Sequence, residues 1–98
     1  MTGPQPAEQP AQQWVDKVAA GPGGAMTEEV GVITGDLTLR TTARAGGQDL
    51  IEIQYADADE WYRLSPGPHL LEHTPQARHT AALAVVRAGY RALEEGGG

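Results

Sequence analysis

Apolar residues recur along the chain with two spacings, and the changes between them divide it into elements. Residues 1–10 hold no large aliphatic side chain after Met1 and are rich in Pro and Gln, which predicts a disordered arm. From residue 11 the pattern becomes helical: Ala11, Trp14, Val15, Val18 and Ala19 fall at i, i+3, i+4, i+7 and i+8. This predicts a short amphipathic helix over 11–20, stopped by Gly21-Pro22-Gly23-Gly24.

The period then drops to two. Val30 and Val32 alternate with small or polar residues, and Gly35-Asp36 suits a two-residue hairpin turn. That turn would set Thr34 opposite Leu37, Val32 opposite Leu39 and Val30 opposite Thr41. Leu37, Leu39, Thr41 and Ala43 share one face of the next strand, and Thr38, Arg40, Thr42 and Arg44 the other. After Gly46-Gly47, Ile51, Ile53 and Tyr55 alternate with Glu52 and Gln54. A one-residue slip would turn every apolar residue outward, so the connection should hold an odd number of residues, three or five. Glu52 then faces Thr42, diagonal to Arg40 and Arg44. Beyond the acidic turn at residues 57–60, Tyr55 is expected opposite Tyr62 and Ile53 opposite Leu64. Trp61 and Arg63 then point to the opposite face, and Ser65-Pro66-Gly67-Pro68 ends the strand.

The helical period returns over 74–95. Thr74 is a natural N-cap and Pro75 fits the first helical position. His79, Leu83, Val86, Tyr90 and Leu93 form one stripe, and Ala81, Val85, Ala88 and Ala92 a second. Together they cover more of the helix than one sheet face can bury. The second stripe therefore calls for another cover, either the N-terminal helix or a second subunit.

These elements predict an α+β fold. It is a two-layer sandwich in which a four-stranded antiparallel meander carries the C-terminal helix on one face, with a short N-terminal helix added. The expected organisation is a disordered arm at 1–10, one domain at 11–95 and a flexible tail at 96–98. A length of 98 residues fits one domain. A core this small often gains further burial by pairing with its own copy.

Composition narrows the chemistry. The chain has no cysteine, which removes disulfides, thiolate metal sites and a thiol nucleophile. Residues 1–10 lack the basic and apolar regions of a signal peptide, and no apolar run reaches membrane-spanning length, so a cytoplasmic protein is expected. Abundant Ala, Gly, Pro and Arg match a GC-rich bacterial genome. The formal net charge of −6 opposes a nucleic-acid backbone and disfavours such a partner.

No residue pattern carries a recognisable catalytic or cofactor motif. His69 and His73 would share a helix face as metal ligands, but Pro66, Pro68 and Pro75 leave little room for that helix. They read as exposed histidines of a polar connector. His79, on an apolar stripe, reads as a hydrogen-bonded core or rim residue. Asp57, Asp59 and Glu60 read as a solvated turn. Ser65, the single serine, lacks the setting of a nucleophile elbow. Gly96-Gly97-Gly98 is similar to the tail of ubiquitin-like modifiers, but the element order is not theirs. No catalytic residue, cofactor or metal is assigned.

What remains is a surface. Trp61, Arg63, Arg40 and Arg44 share the outer sheet face, and Trp and Arg are common anchors of protein interfaces. With Ala81, Val85, Ala88 and Ala92, they are the interaction candidates. The expected function is a non-catalytic adaptor or regulator that pairs with itself, as a homodimer, and with another protein. A small-ligand site or enzyme built on Tyr55, Tyr62, His79 or the His69–His73 segment is the alternative, and a nucleic-acid regulator the third reading.

Overall fold

The computed structural model describes residues 12–44 and 49–96. The chain is α+β, with a four-stranded antiparallel sheet and a helix. In chain order the strands are β1 (Gln13–Ala19), β2 (Ala25–Thr27), β3 (Gly31–Ile33), β4 (Asp36–Thr42), β5 (Leu50–Tyr55) and β6 (Tyr62–Arg63). A 3-10 turn (Pro68–Leu71) and helices α1 (Pro75–Ala88) and α2 (Tyr90–Gly96) follow. The sheet order is β1-β4-β5-β6, and β2 and β3 form a separate hairpin. The arm expected at 1–10 and the last two residues of the tail lie outside the described residues.

The helix expected over 11–20 is a strand. β1 pairs along its full length with β4, setting Trp14 opposite Thr41, Asp16 opposite Leu39 and Val18 opposite Leu37. Trp14, Asp16 and Val18 therefore face the core side, where Val18 is buried. Their alternation is masked in the sequence because Asp16 interrupts an apolar face. The helical spacing of Val15 and Ala19 is incidental, since Val15 is 54% exposed.

This strand displaces the hairpin expected at Gly35-Asp36. The edge of β4 that Val30 and Val32 would have covered is taken by β1, and β3 instead pairs with β2. A seven-residue ladder with a buried Val18 outweighs a shorter one, and Val30 and Val32 are left exposed. The four-strand meander is thus a β4-β5-β6 meander with β1 added at its edge.

Elsewhere the expected faces hold while the registers move by two residues. Arg40 lies opposite Glu52 and Thr42 opposite Leu50, so residues 43–49 connect the strands, an odd number longer than three or five. Ile53 lies opposite Tyr62, not Leu64. A two-residue shift keeps every side chain on its face, so hydrophobic alternation cannot detect it. A bridge from Thr27 to Leu64 joins the small hairpin to the end of the sheet.

The core gathers Val18, Leu37, Leu39, Ile51, Ile53 and Leu64 with Ala82 and Val86 of α1. Leu37, Leu39 and Ile53 are fully buried, each stabilising the fold by roughly 1.5–3 kcal/mol. Thr74 caps α1, its hydroxyl accepting from the Ala77 amide at 3.0 Å. The helix does not run unbroken to residue 95. Gly89 takes φ +92° and separates α2 from α1. The cause is a backbone crossing: a Cβ at Gly89 would lie 2.1 Å from the Pro22 carbonyl oxygen, and one at Gly21 2.3 Å from that of Arg87. The Tyr90 amide donates to Gly24 and that of Arg91 to Pro22. The 21–24 segment is therefore a clasp across the helix break rather than a helix stop.

Candidate functional site

Alternation on β4 and β5, together with the β6 register, builds the outer face of the sheet. Val15, Arg40, Glu52 and Arg63 stand in one row across all four strands, each opposite the next. The Arg40 guanidinium lies 3.9 Å from the centre of the Trp61 ring. It also donates through Nε and Nη2 to Glu52 Oε1, at 3.1 and 2.7 Å. Glu52 thus sits between Arg40 and Arg63, and Trp61 is held by a cation already anchored to a carboxylate. Three of the expected candidates, Trp61, Arg63 and Arg40, share this region. Arg44 lies instead at the rim of a cleft with Asp49 and His69.

The small-residue stripe divides at the helix break. Ala81 and Val85 are half-buried on α1, Ala88 is exposed at its end, and Ala92 is exposed on α2. Val85 lines an apolar crevice with Ala25, Met26, Leu64 and Tyr90. Its cover therefore includes the small hairpin, an element not considered for it from sequence.

His79 is buried, as a hydrogen-bonded core histidine should be. Its Nε2 lies 2.8 Å from Asp16 Oδ2 and its Nδ1 2.8 Å from Thr41 Oγ1. In the neutral ring, Nε2–H donates to the carboxylate and Nδ1 accepts from the hydroxyl. The order carboxylate, imidazole, hydroxyl matches a hydrolytic triad, but its accessibility is reversed. A nucleophile must meet substrate while its carboxylate stays sheltered. Here Thr41 is fully buried and the Asp16 side chain is 56% exposed. No substrate reaches that hydroxyl, and the three residues tie α1 to β1 and β4.

His69 differs from its expected exposure: it is buried at 1%, on the 3-10 turn, while His73 is exposed. Burial without a charged partner lowers its pKa below 6.5. The Asp49 side chain is also buried, accepting from Arg78 Nε at 2.5 Å. Arg78 Nη1 donates in addition to the Glu72 carbonyl, at 2.6 Å. On the exposed rim, the Tyr62 hydroxyl donates to Glu60 at 3.0 Å, which raises its pKa above 10.0. Among the described residues, no three His, Asp or Glu side chains cluster to hold a metal ion. Nor is any helix there long and apolar enough to cross a membrane.

Asp16, Asp49 and Arg78 had drawn no notice in the sequence, and Thr41 had been placed only on the inner face of its strand. For Asp16 the signal is a polar residue between Trp14 and Val18, visible once that segment is read with period two. No family model, curated protein or solved structure matches the chain.

Proposed function

We propose that the protein is a non-catalytic interaction module that works as a homodimer, β1 of one copy pairing antiparallel with β1 of the other. The free edge of β1 carries this reading. The Ala43 amide donates to Gln12 and that of Ala20 to Gly35, so even-numbered residues of β1 direct their backbone groups toward β4. Gln13, Val15, Lys17 and Ala19 direct theirs away from it, and β1 has β4 as its single strand neighbour among the described residues. Such an edge is a template for a further strand. Pairing with a two-fold copy makes the contact self-complementary.

Charge selects the register. A two-fold axis at Asp16 would set two carboxylates against each other. An axis at Val15 sets Val15 against its own copy and Gln13 against Lys17 of the second chain. The dimer keeps a two-layer arrangement, with helices behind a continuous sheet whose outer face stays open. That face, with Trp61 held by Arg40, is where an adaptor or regulator would meet a protein partner, because an ordered aromatic–arginine pair loses little entropy on binding. Arg40 is already paired with Glu52 and covers one face of the indole, which counts against base stacking and a nucleic-acid partner.

Sedimentation equilibrium tests the reading. The wild-type chain should sediment at twice 10.3 kDa. Val15→Lys sets like charges at the axis on an exposed position, so it should give a folded monomer with an unchanged circular dichroism spectrum. A monomeric wild type, or a Val15→Lys variant that dimerises as well as wild type, overturns the proposal.

A further inference from the structure

Asp16 stands on the edge strand β1 with one carboxylate oxygen unused. Its Oδ2 accepts from His79 Nε2 at 2.8 Å, while Oδ1 has no partner among the described residues and the side chain is 56% exposed. Trp14 lies two residues away on the same inner face and is half-buried. Its indole N–H also has no hydrogen-bond partner among the described residues. An indole N–H can only donate and an ionised carboxylate can only accept, so the two are complementary. Within one chain they do not meet.

We infer that Trp14 of each copy covers Asp16 of the other and donates its indole N–H to Oδ1. This contact rests on the β1 dimer proposed above and follows from its register. The free backbone groups of β1 belong to its odd-numbered residues. With the axis at Val15, the hydrogen-bonded pairs are therefore Val15 with its own copy and Gln13 with Lys17 of the second copy. Between them Trp14 falls opposite Asp16 of the second copy, and two-fold symmetry makes the pair twice. These are non-hydrogen-bonded pairs, in which the Cα atoms approach to about 4.5 Å and the side chains lie closest. Both side chains are on the inner face, since opposite residues of a ladder share a face. Asp16 then accepts from His79 through one oxygen and from the second copy's indole through the other. The link from Thr41 through His79 to Asp16 is thereby extended across the interface, and its carboxylate end is complete only in the dimer. An axis at Lys17 would instead set two ammonium groups together and place Asp16 opposite Val18. The match of Trp14 to Asp16 is thus a second reason for the axis at Val15.

The experiment mixes two variants of the full chain. Trp14→Phe keeps an aromatic ring and removes the donor. Asp16→Asn keeps an oxygen for His79 and turns an amide N–H toward the indole, donor against donor. Each variant's own dimer lacks both contacts, and sedimentation equilibrium should show it weakened by about tenfold or more. A mixed dimer keeps one contact, between Trp14 of the Asp16→Asn chain and Asp16 of the Trp14→Phe chain. It should therefore be about threefold or more tighter than either variant's own dimer, an excess that native mass spectrometry reads directly. A contact made within one chain gives no such excess. A second measurement needs no variant: in dimers of labelled and unlabelled wild-type chains, an isotope-filtered NOE should join the Trp14 indole proton to the β-protons of Asp16 in the other copy. A monomeric wild type, or a Val15→Lys variant that still dimerises, overturns the β1 dimer and this contact with it. A wild-type dimer that Val15→Lys dissociates, but whose two variants pair at random or which shows no such NOE, overturns the contact alone.

Discussion

The two buried histidines sit in opposite circumstances. His79 projects from α1 onto β1 and β4, and both ring nitrogens have partners. His69 sits on a 3-10 turn, is buried as deeply, and its Nδ1 has no partner among the described residues. Burial alone therefore does not say what a polar side chain does for a fold. A satisfied ring adds hydrogen bonds to its packing, whereas an unsatisfied one carries a desolvation cost that the fold must offset. The first ring locks the positions of three elements. The second leaves a bonding position unmet inside the fold.

Replacing each ring should give opposite results. His79→Ala removes packing and both hydrogen bonds and leaves the Thr41 hydroxyl buried and alone. We expect a loss of about 3 kcal/mol in urea unfolding. A change below about 1 kcal/mol would break the comparison, because the paired ring would then contribute no more than an ordinary side chain. Asp16→Ala should cost less, about 1 kcal/mol, because water reaches its half-exposed carboxylate. In a His79→Ala background the same substitution should cost almost nothing, since its partner has gone. Equal costs in both backgrounds would show that Asp16 acts apart from His79.

The sequence made some of this legible. Thr74-Pro75 marked the start of α1, and alternation over 37–45 and 51–55 assigned the inner and outer faces of β4 and β5 correctly. It could not mark β1, because the polar residue on its inner face is explained only by His79, far along the chain. Nor could it set the registers of β5 and β6, since a two-residue shift leaves the alternation unchanged. Gly89 looked like one more glycine in a glycine-rich chain until its crossing with Pro22 was seen. Of the candidate surface, the meeting of Arg40 with Trp61 depended only on faces and was foreseen as a cluster. The Asp49–His69 cleft depended on loop geometry, and period arguments do not reach it.

The smallest expected effect sharpens the comparison most. His69→Leu replaces the orphaned ring with an apolar side chain, removing an unmet bond together with the group that needed it. Stability at neutral pH should be unchanged or higher, by up to about 1 kcal/mol. The pH dependence should change as well. Burial lowers the His69 pKa in the folded chain below the 6.5 of an ordinary histidine. Well above 6.5 neither state holds the proton, so the ring adds no pH dependence. As pH falls below 6.5 the unfolded chain takes up a proton that the folded chain refuses, and stability falls. The decline ends once pH passes the lowered folded pKa. His73 and His79 are present in both proteins, so subtracting the His69→Leu curve from that of wild type isolates this decline. Urea unfolding between pH 5 and 8 should show the two curves parallel above about 7.5 and separating progressively below it, with wild type losing more. Curves parallel throughout would mean that the folded chain accepts the proton as readily as water does. The His69 nitrogen would then have a partner after all, and the contrast with His79 would collapse.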